Sequence, residues 1–223
     1  MGLLNDKVVY ITGYKGELGS KLAQCYTSLG AVVVECEMDV TNPASIDQCI
    51  DETLKRHRRI DIWVNNAGVS RNCLLAAEKD QELRRLFEIN LESVIKCSRA
   101  VIKAMLPARS GVIINISSLA AWRPENGQSL YAASKGGVES FTRALAKEVA
   151  GKAIRVNAVA PGFLESKMTE GLDESHKVNL EKRIPLGRMG QLNEVAGLVA
   201  FLSSDEAAYI TGQIVRVDGG LGM

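Results

Sequence analysis

Tyr131 and Lys135 stand four residues apart in Tyr131-Ala132-Ala133-Ser134-Lys135, at the start of a helix-like stretch. Residues at that spacing share one face of a helix, so a phenol and an ammonium point into one cleft. A nearby cation favours phenolate and lowers a tyrosine's pKa, which suits a proton donor and acceptor working near neutrality. Ser118 follows the strand-like run Gly111–Ile116, and Asn65-Asn66-Ala67-Gly68 closes another run, Ile60–Val64. In a parallel sheet the carboxyl ends of the strands line the ligand crevice. Thr12-Gly13-Tyr14-Lys15-Gly16-Glu17-Leu18-Gly19 joins the first strand to the first helix. Glycines 13, 16 and 19 permit a tight turn, close approach of a pyrophosphate and close helix–sheet packing, with helix N–H groups facing the anion. The chemistry suggested is proton transfer beside a bound dinucleotide.

The elements that must position these groups alternate along the chain. Strand-like runs fall at Lys7–Ile11, Ala31–Glu35, Ile60–Val64, Gly111–Ile116, Ile154–Ala160 and Ile214–Val217. Between them, helical periodicity is read at Glu17–Leu29, from Asn42-Pro43 onward through Ile46, Ile50 and Leu54, over a long stretch from Asp80 to Met105, at Ser129–Ala150 and at Leu192–Ser203. Residues 163–190 are polar and irregular, and suit a partly helical flap on the substrate side. Continuous apolar strands separated by helices imply an α/β fold: a doubly wound parallel sheet of Rossmann type with helices on both faces. Ala31–Glu35 is read as a buried strand of that sheet. With no repeat or linker, residues 1–223 are expected to form one domain.

Composition narrows the function classes. Lys and Arg number 27 against 26 Asp and Glu, a net charge of +1, which argues against nucleic acid as partner. The longest apolar run, Val195–Leu202, is far too short to span a bilayer. No basic, then apolar, leader is visible, so a cytoplasmic protein is expected. Cys25, Cys36, Cys49, Cys73 and Cys97 show no CxxC spacing and are read as buried thiols in a reducing compartment, with no metal site.

These motifs resemble the short-chain dehydrogenase/reductase family over roughly Lys7–Gly220. The matching positions are the Thr12–Gly19 turn, Asp39 and Val40 in Met38-Asp39-Val40-Thr41, Asn65-Asn66-Ala67-Gly68, Asn90, Ser118, Tyr131, Lys135 and Pro161-Gly162. The family's interval of thirteen residues from serine to tyrosine selects Ser118 over Ser117. The resemblance implies hydride transfer between a nicotinamide and a carbonyl or secondary alcohol. Tyr131 exchanges the proton, Lys135 holds the nicotinamide ribose and keeps Tyr131 acidic, Ser118 bonds the carbonyl oxygen, and Asn90 holds a water linking Lys135 to solvent. Gly13, Lys15, Gly16, Leu18, Gly19, Asp39, Val40, Asn66, Ala67, Gly68, Pro161 and Gly162 are implied to contact the dinucleotide.

The turn reads TGxxGxxG where the family usually has TGxxxGxG, with Glu17 in place of the middle glycine. Ala31–Glu35 also reaches Asp39 without the helix and partial strand that usually intervene, so one strand or crossover is expected to be lost or rerouted. Both departures bear on the adenosine end. There Glu37, or Glu35, is the candidate acceptor for the ribose 2′-hydroxyl, and Lys15 the candidate partner of a 2′-phosphate; NAD(H) is favoured, with NADP(H) the alternative. Gly127-Gln128-Ser129-Leu130-Tyr131, Ala160-Pro161-Gly162-Phe163, Ile184-Pro185-Leu186-Gly187-Arg188 and Tyr209-Ile210-Thr211-Gly212 resemble the 3-oxoacyl-[acyl-carrier-protein] reductase branch. In that branch two basic positions near the active-site mouth, here Arg109 and Lys152, contact the acyl carrier protein. The alternatives are a dehydrogenase of a small hydroxylated metabolite (sugar, polyol or hydroxy acid) and a non-catalytic nucleotide sensor or scaffold. The family resemblance also implies a homotetramer or homodimer built on the two long helices.

Overall fold

The computed structural model describes residues 2–166 and 174–223. Six parallel strands form one sheet: β1 (Val8–Ile11), β2 (Val32–Val34), β3 (Ile62–Asn65), β4 (Gly111–Ile116), β5 (Ile154–Pro161) and β6 (Ile214–Val217), in spatial order β2-β1-β3-β4-β5-β6. The helices are α1 (Glu17–Ser28), α2 (Pro43–His57), α3 (Asp80–Phe87), α4 (Ser93–Met105), α5 (Ser129–Val149), α6 (Glu174–Arg183) and α7 (Leu192–Ser203).

Side-chain alternation along the strands sorts the core onto two faces. Val9, Ile11, Ile62, Val64, Ile114 and Ile116 point toward α1 and α7, meeting Leu22, Tyr26, Val195 and Val199. Tyr10, Trp63, Ile113 and Val156 point the other way, toward Ile46 and Ile50 of α2, Val101 of α4 and Leu145 of α5. Helices on both faces make the doubly wound α/β sheet expected from the sequence. The chain starts at β1, leaves in one direction to β2, and returns to β3 on β1's other side. That reversal opens a crevice between the carboxyl ends of β1 and β3.

Two readings need correction. The strand read as buried at Ala31–Glu35 contracts to Val32–Val34, and Val32 is exposed. With no helix or strand between Val34 and α2, β2 has no outer neighbour among the described residues and becomes the sheet's edge. The long helix read from Asp80 to Met105 is interrupted: Glu88–Glu92 forms a π turn between α3 and α4. The flap is partly helical, as expected, and α6 and its exit bury Leu180, Ile184 and Met189 against Leu119 and Leu221. Flap residues 167–173 lie outside the described residues. No described helix is long and apolar enough to cross a membrane.

Candidate active site

Every strand that carries a candidate residue delivers it to the same edge of the sheet. A cleft of about 600 Å³ runs along that edge, within the usual size of small-molecule sites. Gly13, Gly16, Leu18 and Gly19 from the first turn line it, with Asn66, Ala67 and Gly68 after β3, Ser118 after β4, Tyr131 and Lys135 on α5, and Pro161-Gly162 closing β5.

Backbone approach shapes one end. Gly13 has φ +66°, and a Cβ there would stand 3.1 Å from the Ala67 Cα; one on Gly19 would collide with the Gly13 carbonyl. The turn therefore lies flat against the β3 exit, and Thr12 holds it: its hydroxyl accepts from the Asn66 and Ala67 N–H groups, both at 2.9 Å. No side chain caps the start of α1 at Gly16. An uncapped helix start behind close-packed glycines fits the pyrophosphate of a dinucleotide.

At the other end Tyr131 and Lys135 share a face of α5, as their spacing required. The Lys135 ammonium lies 5.9 Å from the Tyr131 ring centroid and donates to the Ile116 carbonyl at 2.9 Å. Lys135 is buried, and loss of hydration pushes its ammonium down to about 8. Tyr131 departs from the sequence expectation: burial raises its phenol above the ordinary value, and a bond with the Ser118 hydroxyl offsets this only in part. Desolvation dominates, so the phenol stands protonated. Of the two adjacent serines, Ser118 meets the phenol, while Ser117 bonds back to α5 through Glu139 Oε1 at 3.0 Å.

Asn90 is fully buried behind the cleft wall. Its amide nitrogen donates to the Val69 carbonyl (2.9 Å) and the Ser134 hydroxyl (3.3 Å), and its oxygen accepts from the Val69 N–H (2.8 Å). The π turn is what aims Asn90 inward at this point of an otherwise regular helix. Gly68 threads between this carboxamide and Lys135, where a Cβ would stand 3.3 Å from one and 3.4 Å from the other. Asn65, next to Asn66 in sequence, bonds instead inside the core to Trp63, Ser98 and Asn115.

The remaining candidates lie elsewhere. Glu37 and Lys15, read as rivals for the adenosine end, form an ion pair with each other between the glycine turn and the segment after β2. Glu35 and Lys15 line a neighbouring depression with Tyr14 and Gln24. Asp39 closes a local turn, accepting from the Thr41 hydroxyl at 2.7 Å and N–H at 2.9 Å, and the Thr41 hydroxyl holds its carboxyl below the ordinary value. Val40 is buried in the core behind it. Arg109 and Lys152 are not at the mouth of this cleft. Each precedes a strand, β4 or β5, and so sits at the opposite edge of the sheet, where the Arg109 guanidinium donates to the Gly151 carbonyl at 2.9 Å. Val69, Ser70 and Leu192 also line the cleft but carry no sequence motif that marks them, and Gln128 and Phe163, which fall within the motifs of the family resemblance, line it as well. Among the described residues no cluster of side chains could hold a metal ion.

Residues 5–222 match the family model described as enoyl-(acyl carrier protein) reductase. The chain is 38% identical to the 3-oxoacyl-[acyl-carrier-protein] reductase FabG of Escherichia coli, over 97% of this chain and 98% of that protein. It is also 38% identical to FabG of Thermotoga maritima, over 98% of both chains. Identity to FabG of Chlamydia pneumoniae is 41%, over 98% of this chain and 88% of that one. The sheet order, the glycine turn at its switch point and these full-length matches agree: the chain belongs to the short-chain dehydrogenase/reductase family and is an NAD(P)-dependent oxidoreductase.

Proposed function

We propose that the protein reduces a 3-oxoacyl thioester carried on acyl carrier protein, with Tyr131 as proton donor. The observation that carries this reading is the pairing of two hydroxyls, those of Ser118 and a protonated Tyr131, at one point of the cleft. Two donors converging on one spot suit an oxygen that gains charge as hydride arrives on its carbon. Bound along the cleft, the nicotinamide supplies the hydride. Ser118 orients the carbonyl, Tyr131 delivers its proton to the oxygen, and the Lys135 ammonium stabilises the phenolate left behind. Asn90 positions the Gly68–Val69 loop beside Lys135 through its bonds to Val69.

At the adenosine end Glu37 accepts from the ribose diol, and its ion pair with Lys15 weakens the repulsion a 2′-phosphate would meet. Both side chains are largely exposed, so the pair is screened and the preference for NAD(H) is modest, roughly tenfold or about 1.4 kcal/mol. The relatives' carrier-protein substrate gives Arg109 and Lys152 a role at a distance from their own cleft. In an oligomer paired through α4 and α5, they present positive charge near the partner's cleft mouth. Exposed Ile95 of α4 and the small exposed residues Ala133, Ser140 and Ala144 of α5 suit such helix-to-helix contact.

The test is nicotinamide absorbance with acetoacetyl thioester and either nucleotide. Turnover with the thioester, faster with NADH, is expected, and Glu37→Gln should narrow the gap between nucleotides. Absence of turnover with 3-oxoacyl thioesters alongside activity on simple polyols would overturn the substrate.

A further inference from the structure

Cys36 and Cys49 bring their sulfur atoms to 2.9 Å, well inside the ordinary contact distance of two thiols. Both are free cysteines; Cys36 is half-buried in the segment after β2, and Cys49 is buried on α2. Between them they hold the Glu37 carbonyl, which accepts from the Cys49 thiol at 3.3 Å and from the Cys36 thiol at 3.7 Å. The Tyr10 hydroxyl donates to the Cys36 carbonyl at 2.8 Å and fixes that stretch of backbone to β1. A disulfide needs its sulfurs about 2.05 Å apart, so closing the pair requires an approach of just under about 1 Å.

We propose that Cys36 and Cys49 are a reversible oxidation site that loosens the grip of the adenosine end on its nucleotide. A hydroperoxide is the oxidant. The more exposed Cys36, as thiolate, attacks one peroxide oxygen; the O–O bond breaks, hydroxide leaves and takes up a proton, and Cys36 becomes a sulfenic acid. The Cys49 sulfur then attacks the Cys36 sulfur, the S–O bond breaks and water leaves. Overall two thiols and one hydrogen peroxide give one disulfide and two waters, with two electrons passing from sulfur to oxygen. Burial pushes the Cys49 thiol up to about 11, consistent with its acting second.

Oxidation removes both thiol donors from the Glu37 carbonyl and draws Cys36 toward α2. Glu37 is the residue whose side chain ties this segment to Lys15 of the glycine turn, so the change falls on the proposed 2′-hydroxyl acceptor. The effect on binding rests on the dinucleotide reading above; the disulfide itself does not.

The experiment treats the full-length protein with equimolar hydrogen peroxide, maps peptides without reduction, and titrates NADH fluorescence before and after. The expected result is a Cys36–Cys49 linked peptide, two hydrogen masses lighter than its parts, with NADH affinity falling several-fold and recovering in dithiothreitol. Cys36→Ser should bind NADH like the reduced wild type and ignore peroxide. A map with no such link, or a Cys36→Ser protein that responds as the wild type does, overturns the site. A linked peptide with unchanged NADH affinity overturns its control of binding. A reduced protein that binds no NADH refutes the dinucleotide reading instead, and leaves the peptide map to judge the thiol pair.

Discussion

Tyr131 is a neutral acid in this structure because burial raises its phenol above the ordinary value, and a neutral acid is the form that reduction consumes. Tyr131→Phe removes the proton while keeping the ring. Turnover should fall roughly 10²–10⁴-fold with NADH affinity nearly unchanged, as steady-state kinetics and titration would show. A variant with near-native turnover would rule out Tyr131 as the donor. Lys135 sets a second expectation. Its pKa is lowered from 10.5 to about 8, so the ammonium needed beside the phenolate is lost early on the alkaline side. For reduction, kcat/KM should be level below that point and decline through about 8, approaching roughly tenfold per pH unit. Stability responds with the opposite sign. Between about 8 and 10.5 the unfolded chain binds the proton that the folded one has lost, so this group makes folding more favourable as pH rises. A kcat/KM profile that stays flat well above this pKa would separate Lys135 from the reaction.

At the level of elements, the glycine turn and the β3 exit work as one piece. A Cβ at Gly19 meets the Gly13 carbonyl and the Tyr14 Cα, both backbone, whereas one at Gly16 reaches the Gly13 carbonyl at a tolerable 3.3 Å. Gly19→Ala should therefore destabilise the fold by about 1–3 kcal/mol in urea titration. Gly16→Ala should leave stability close to wild type and weaken nucleotide binding, because its new methyl would sit in the cleft. Equal destabilisation by the two would contradict this division. Much of this arrangement was legible in the sequence: strand periodicity placed Thr12, Asn66 and Ser118 at one edge, and the four-residue step placed Tyr131 with Lys135. The π turn was not, since inserting one residue into a helix hardly disturbs its apolar period. Nor was the exposure of Val32, because a β-branched run reads alike at the centre and at the edge of a sheet. The ion pair of Lys15 with Glu37 depends on a loop path that neither residue type encodes.

Across the whole molecule, chain direction separates two surfaces. Reactive groups follow strands; Arg109 and Lys152 precede them and so occupy the opposite edge, a placement that the positions of β4 and β5 already imply. If these cations serve a neighbouring protomer's cleft, Arg109→Glu with Lys152→Glu should raise KM for a carrier-protein thioester several-fold. KM for the free acetoacetyl thioester should not move. Light scattering at micromolar concentration should give a multiple of the 24.1 kDa chain mass. A monomer that still shows the substrate-dependent KM effect would refute the cross-protomer arrangement.

The bare edge at β2 has a consequence for how the protein can change. The proposed adenosine end is walled by a short connection, Glu35–Asn42, that carries the Lys15 partner and one thiol of the pair, Cys36, and bears no further strand among the described residues. Lengthening a surface connection is thermodynamically mild, about 0.6 kcal/mol for each doubling. Insertions near Met38 could therefore accumulate, or be engineered, with little penalty to folding. The reacting end, built on β4, α5 and the π turn, would be untouched. Nucleotide preference and redox response are in this sense modular traits, free to evolve independently of the carbonyl chemistry they serve.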